Sequence, residues 1–112
     1  MDLKYSIQYK NDDQGKYLYV EISGKISFMD LDRLEDDLTF ALDARSCPVV
    51  FDFKKVEFID SRGLDFLITF HKRQEKENFN IKLINVNDYI YDLLHTVFFH
   101  KLFPILKEGE IE

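Results

Sequence analysis

The chain contains no tryptophan, one cysteine, two prolines and four glycines. A single cysteine excludes an internal disulfide, and Cys47, between Ser46 and Pro48, has no second thiol for a redox or metal pair. It reads as a small apolar residue at the entrance of a strand. The glycines are scattered at Gly15, Gly24, Gly63 and Gly109, which excludes a glycine-rich phosphate loop. No apolar run is long enough to cross a membrane, and Met1-Asp2-Leu3-Lys4 has no signal character. Basic residues are in deficit, 15 against 21 acidic, for a net charge of -6. A general nucleic-acid binder needs a basic face, so neither nucleic acid nor an anionic membrane is the expected partner. The expected location is the cytoplasm.

What is present is enough apolar material for one core. The hydrophobic fraction is 46%, too high for a disordered chain, and its aromatic part is 11 Phe and 6 Tyr. One domain is expected over residues 1–112, with 107–112 as a frayed acidic tail.

Leu3, Tyr5, Ile7 and Tyr9 alternate with polar residues, as do Leu18, Val20 and Ile22. Period-two patterning on either side of Asn11-Asp12-Asp13-Gln14-Gly15 predicts an antiparallel hairpin, with Ser23-Gly24 ending its second strand. Asp30 is the expected N-cap of a first helix, whose Leu31, Leu34, Leu38, Ala41 and Leu42 form one apolar stripe. Asp32, Asp36 and Asp43 fall on its other side as a solvated acidic face, with Phe40 the odd member among them. Val49-Val50-Phe51-Asp52-Phe53 suits an interior strand covered on both faces. Lys54 to Ile59 reads as a loop leading to a second helix that ends near Glu77. Ile81 to Val86 is a further strand. Asp88 is the expected cap of a third helix bearing Ile90, Leu93, Leu94 and Val97. Phe103-Pro104-Ile105-Leu106 suits a short edge strand. Strand–helix–strand units call for right-handed crossovers, so the expected fold is α/β, a mixed, mostly parallel sheet with an N-terminal hairpin and about three helices.

Asp60-Ser61-Arg62-Gly63 stands where a strand and loop meet a helix. Either Asp60 or Ser61 could be the cap. A Gly in a first helical turn costs about 1 kcal/mol relative to Ala, so Gly63 predicts a close approach to the backbone. On that helix, Leu64, Leu67, Ile68 and His71 form a stripe suited to the sheet. Phe66 and Phe70 lie roughly opposite, and with Arg62, Asp65 and Arg73 nearby they are expected to be at least partly exposed as a binding patch.

Val49 to Phe53, followed by Val56-Glu57-Phe58-Ile59-Asp60-Ser61-Arg62-Gly63-Leu64, resembles the signature of STAS domains of the anti-sigma factor antagonist type. Glu21 to Ile26 and Lys101 to Ile105 are similar to flanking segments of that family, so the resemblance spans nearly the whole chain. It implies a switch. The serine matching Ser61 is phosphorylated by a partner that is both anti-sigma factor and serine kinase, the unmodified antagonist binds that partner, and a serine phosphatase restores the hydroxyl. The partner-binding residues expected on this basis are Ser27, Asp60, Ser61, Arg62, Gly63, Asp65, Phe66 and Phe70. Two departures stand out: Ser27 replaces an Asp found in some antagonists, and Phe98 stands where a Gly is common, so that Phe98-Phe99 could add a second apolar patch. A small STAS domain also resembles the constitutive adaptor subunit of a lipid-transporting ABC complex, which is the alternative reading.

Other chemistry has little support. His71, His95 and His100 lack a zinc-type spacing, and Ser61 lacks the flanking glycines of a nucleophile elbow. No catalytic residue, metal or cofactor is expected, and a nucleotide-binding role has no phosphate loop to serve it.

Overall fold

In a computed structural model, which describes residues 3–27 and 31–110, the alternating segments form the expected hairpin. Strands β1 (Lys4–Asp12) and β2 (Gly15–Ile26) pair antiparallel with only Asp13 and Gln14 between them. The turn is tighter than the five polar residues suggest, because Gly15 supplies a positive φ of 121° and the Asp12 carboxylate accepts from the Gln14 amide. Then follow α1 (Leu31–Ala44), β3 (Val49–Ile59), α2 (Ser61–Lys76), β4 (Ile81–Val86), α3 (Asp88–Thr96), a single 3-10 turn (Phe99–Lys101) and β5 (Ile105–Lys107). The expected cap Asp30 lies outside the described residues.

The strands lie in sequence order, β1-β2-β3-β4-β5, and every pairing after the hairpin is parallel. Each right-handed crossover advances one strand in the same direction, which puts all three helices on one face. Val20, Phe51, Leu83 and Ile105 sit in register across that face. They belong to one core with Leu34 and Leu38 of α1, Phe66 and Leu67 of α2, and Ile90 and Leu94 of α3. Cys47 is buried at the mouth of β3, where burial pushes its thiol pKa up.

The other face carries Tyr17, Tyr19, Val50, Ile84 and Leu106, all half-buried, with no helix over them. Strand β3 is therefore central in the sheet but covered by helices on one side only, which corrects the expectation from its apolar sequence. Asp52 makes the difference legible. It lies on the helix-free face yet is 6% exposed, because Tyr19 Oη donates to Oδ2 while the Lys54 amide and Asn85 Nδ2 each donate to Oδ1 at 3.0 Å. Burial alone would raise the Asp52 pKa; these hydrogen bonds outweigh it and hold the carboxyl below its ordinary 3.8. The same bonds tie β2, β3 and β4 together.

Four local expectations are corrected. Lys54–Ile59 is strand, not loop: β2 runs past Ser23-Gly24 to Ile26, and two register shifts let Lys55, Val56, Phe58 and Ile59 pair with it. The cap of α3 is Asn87, not Asp88; its Oδ1 accepts from the Ile90 amide at 2.9 Å while its Nδ2 donates to the Val56 carbonyl at 3.1 Å. Lys107 belongs to β5, and its amide donates to Glu110 Oε1 at 2.6 Å, so order extends into the expected tail. Val97 lies just past α3 and is exposed.

Candidate functional site

The site lies where the sheet's C-terminal edge meets α2. The Asp60 amide donates to the Ile26 carbonyl at 3.2 Å, so β2 holds the residue that follows β3. With extended backbone (φ -106°, ψ -173°), Asp60 turns its carboxylate onto the helix, and Oδ1 accepts from the Gly63 amide at 3.0 Å. Asp60 is thus the cap, which resolves the choice between it and Ser61. Ser61 becomes the first helical residue. Its side chain is exposed, and among the described residues no group engages its hydroxyl.

Arg62 joins this corner to α1. Its guanidinium is 2.5 Å from Glu35 Oε1, 3.1 Å from Asp32 Oδ1 and 3.9 Å from Asp65 Oδ2. The hydrogen bond to Glu35 leads in raising the Arg62 pKa above its ordinary value. Farther along, Arg73 reaches Asp43 at 2.8 Å. The acidic face of α1 is solvated as expected, with Asp32, Asp36 and Asp43 all exposed, and two of its members, Asp32 and Asp43, also reach across to Arg62 and Arg73 of α2. Phe40 is 80% exposed on α1, and nothing in the structure explains it.

Three of the expected contact residues are not at the surface. Gly63 is buried, and the group that approaches it belongs to the chain itself: a Cβ there would stand 2.5 Å from the Ile26 carbonyl oxygen. Phe66 and Phe70 are 0% and 3% exposed, which corrects the expectation of an aromatic patch. Phe66 packs edge-on against Phe51 with centroids 5.8 Å apart, and against Phe70 at 5.1 Å. The buried stripe of α2 is Gly63, Phe66, Leu67, Phe70 and Gln74, leaving Leu64 and Ile68 half-buried at its flank. His71 is half-buried against Phe103, as expected of a core-flanking histidine.

The accessible surface at this edge is made of other residues. Ser27, half-buried, follows Ile26, which pairs with Ile59. Asp65 is exposed, as are Phe58 at the end of β3 and Tyr89 in the first turn of α3. Neither aromatic stands among the expected contact residues. Simple alternation gives no signal for Phe58, since it would place the ring on the buried face of Val56; the register shift between Gly24 and Lys25 interrupts that alternation. A cleft of about 510 Å³ opens at the opposite end of the sheet, among Lys16, Arg45, Cys47, Phe79 and Lys82. Ser61 is not part of it. No described helix is long and apolar enough to cross a membrane.

The family model for the STAS domain matches residues 8–109. Among solved structures, an anti-sigma factor antagonist from Mycobacterium paratuberculosis superposes with a TM-score of 0.74 at 21% identity, covering 92% of this chain and 86% of that one. The anti-sigma factor antagonist SpoIIAA in its unphosphorylated form gives 0.68 at 13% identity, over 94% and 90% of the two chains. The Bacillus cell fate determinant SpoIIAA in its phosphorylated form gives 0.69 at 10% identity, over 94% and 92%. These likenesses show a shared fold. No curated protein sequence matches the chain significantly.

Proposed function

Because the chain belongs to the STAS domain family, we propose that it is an anti-sigma factor antagonist of a partner-switching pathway, controlled at Ser61. Unmodified, it binds a cytoplasmic protein that is both anti-sigma factor and serine kinase. Phosphorylation of Ser61 by that kinase releases it, and a serine phosphatase restores binding. The observation that carries this reading is the uncommitted Ser61 hydroxyl at the mouth of α2, left free because Asp60 serves as the cap.

The electrostatics support a switch that changes binding and leaves the fold intact. A phosphate adds roughly -1.5 to -2 charge near neutral pH. At the start of a helix that charge is favoured by about 0.3–1 kcal/mol, since the first amides of α2 point toward it. Asp60 and Asp65 oppose it, and Arg62 is already held by Glu35 and Asp32. The modified site is therefore strongly anionic, tolerable in water and costly once a second protein covers it. Ser27, Asp60, Ser61, Arg62 and Asp65 form the polar part of the proposed contact. Phe58 and Tyr89 take the anchoring role that the buried Phe66 and Phe70 cannot fill.

Calorimetry with the cognate kinase tests the reading. Wild type and Ser61→Ala should bind alike, and Ser61→Asp should bind roughly 10–100-fold more weakly, the cost of an unpaired charge under a partner. Full-strength binding by Ser61→Asp would favour a constitutive adaptor.

A further inference from the structure

The two edges of the sheet are built differently. Strand β5 is three residues long and follows Pro104. Short strands and prolines are common protections against edge-to-edge pairing. Strand β1 has neither: it runs nine residues without proline and pairs with β2 at nine successive positions without a bulge. Among the described residues nothing pairs with its outer side. Alternate N–H and C=O groups along β1 therefore face outward, open to another strand.

The sequence of β1 is also complementary to itself. In an antiparallel pair, residues directly opposite share a face, so helix-facing residues of one copy must meet helix-facing residues of the other. A two-fold axis through Gln8 satisfies this. It sets Ile7 opposite Tyr9 of the second copy, Ser6 opposite Lys10, and Lys4 opposite Asp12, each pair occurring twice. Tyr9 is 41% exposed in the single chain, and this arrangement covers it. The neighbouring axis through Ile7 would bring Lys4 against Lys10, which like charge disfavours. The axis through Tyr9 would carry Lys4 beyond the paired strand and lose its partner.

We propose that β1 is a homotypic interface, through which two copies of this chain pair antiparallel in the register centred on Gln8. The axis stands perpendicular to the sheet, so the helices of both copies lie on one side of a continuous sheet. It also turns the two Ser61 edges in opposite directions, away from the new contact. Pairing along one strand buries little surface, and each chain carries a net charge of -6, so the dimer is weak.

Sedimentation velocity across a concentration series tests this with three proteins: wild type, Lys4→Glu, and Lys4→Glu with Asp12→Lys. Lys4 and Asp12 are both exposed, and an unchanged far-UV spectrum checks the fold of each variant. Wild type should dimerise reversibly, Lys4→Glu should weaken the dimer roughly tenfold through its two symmetry-related pairs, and the double exchange should recover it. A protein that stays monomeric at submillimolar concentration overturns the proposal. So does a dimer indifferent to Lys4→Glu, or one that the double exchange fails to recover. Phosphorylation of Ser61 takes no part in these measurements, so their outcome is separate from that of the proposed function.

Discussion

The carbonyl oxygen of Ile26 occupies the space that a side chain on Gly63 would need, 2.5 Å from where its Cβ would stand. The same oxygen accepts the Asp60 amide. One backbone atom at the end of β2 thus fixes both the entry to α2 and the depth at which its first turn is seated. Ser61 lies between those two points. Its exposure follows from this seating as well as from its own polarity.

Gly63→Ala separates two opposing effects. Helix propensity alone favours Ala by about 1 kcal/mol. Forcing a methyl group against the Ile26 carbonyl and the Ile59 side chain costs about 1–3 kcal/mol, and backbone yields less readily than a side-chain tip. The expected outcome is a net loss of up to about 2 kcal/mol in urea denaturation. A gain in stability would mean that α2 is not seated on Ile26.

Asp52 sets an acid limit. Its folded pKa is lowered, so its contribution to stability is complete above the unfolded value of about 3.8 and disappears as pH falls through the lower folded value. Asp52→Asn should cost about 1–3 kcal/mol at neutral pH, since the partners offered by Tyr19, Lys54 and Asn85 are arranged for a carboxylate. The gap between wild type and variant should narrow on acidification below pH 4 or so. Denaturation curves of both proteins at several pH values would check it, and a gap independent of pH would contradict it.

Phe98 occupies the left-handed region, with φ 64° and ψ 23°, and the residue is 63% exposed. That backbone costs a non-glycine residue about 1–2 kcal/mol, while glycine's extra freedom in the unfolded chain takes back about 0.4–1 kcal/mol. Phe98→Gly should therefore raise stability by about 0.5–1 kcal/mol in thermal or urea unfolding. A clear loss would show that the ring's contacts with Lys101 and His100 matter more than the strain.

Where one pattern dominated, the sequence was a sufficient guide. Strand β4 spans the expected Ile81–Val86, and the stripe Leu31, Leu34, Leu38 and Leu42 buries α1 as its spacing requires. Lys54-Lys55 hid the second half of β3, because the register shifts opposite Ser23 and Gly24 break the alternation that marks a strand. Helix α2 offered two apolar stripes, and hydrophobicity could not choose between them. Gly63 could have decided it: a glycine in the first turn marks the face packed hardest against the sheet, and Phe66, Leu67 and Phe70 follow it at helical spacing on that face. For the same reason the aromatic patch expected on α2 is buried, and the exposed rings at this edge are Phe58 and Tyr89.

The proposed switch requires that the Ser61 hydroxyl be the group that is phosphorylated. Incubating the chain with the anti-sigma factor kinase proposed as its partner and ATP, then mapping the phosphopeptides by mass spectrometry, tests it most directly. The expected result is a single modified residue, Ser61, and no incorporation into Ser61→Ala. Phosphate on another residue, or undiminished labelling of the Ser61→Ala protein, would contradict it.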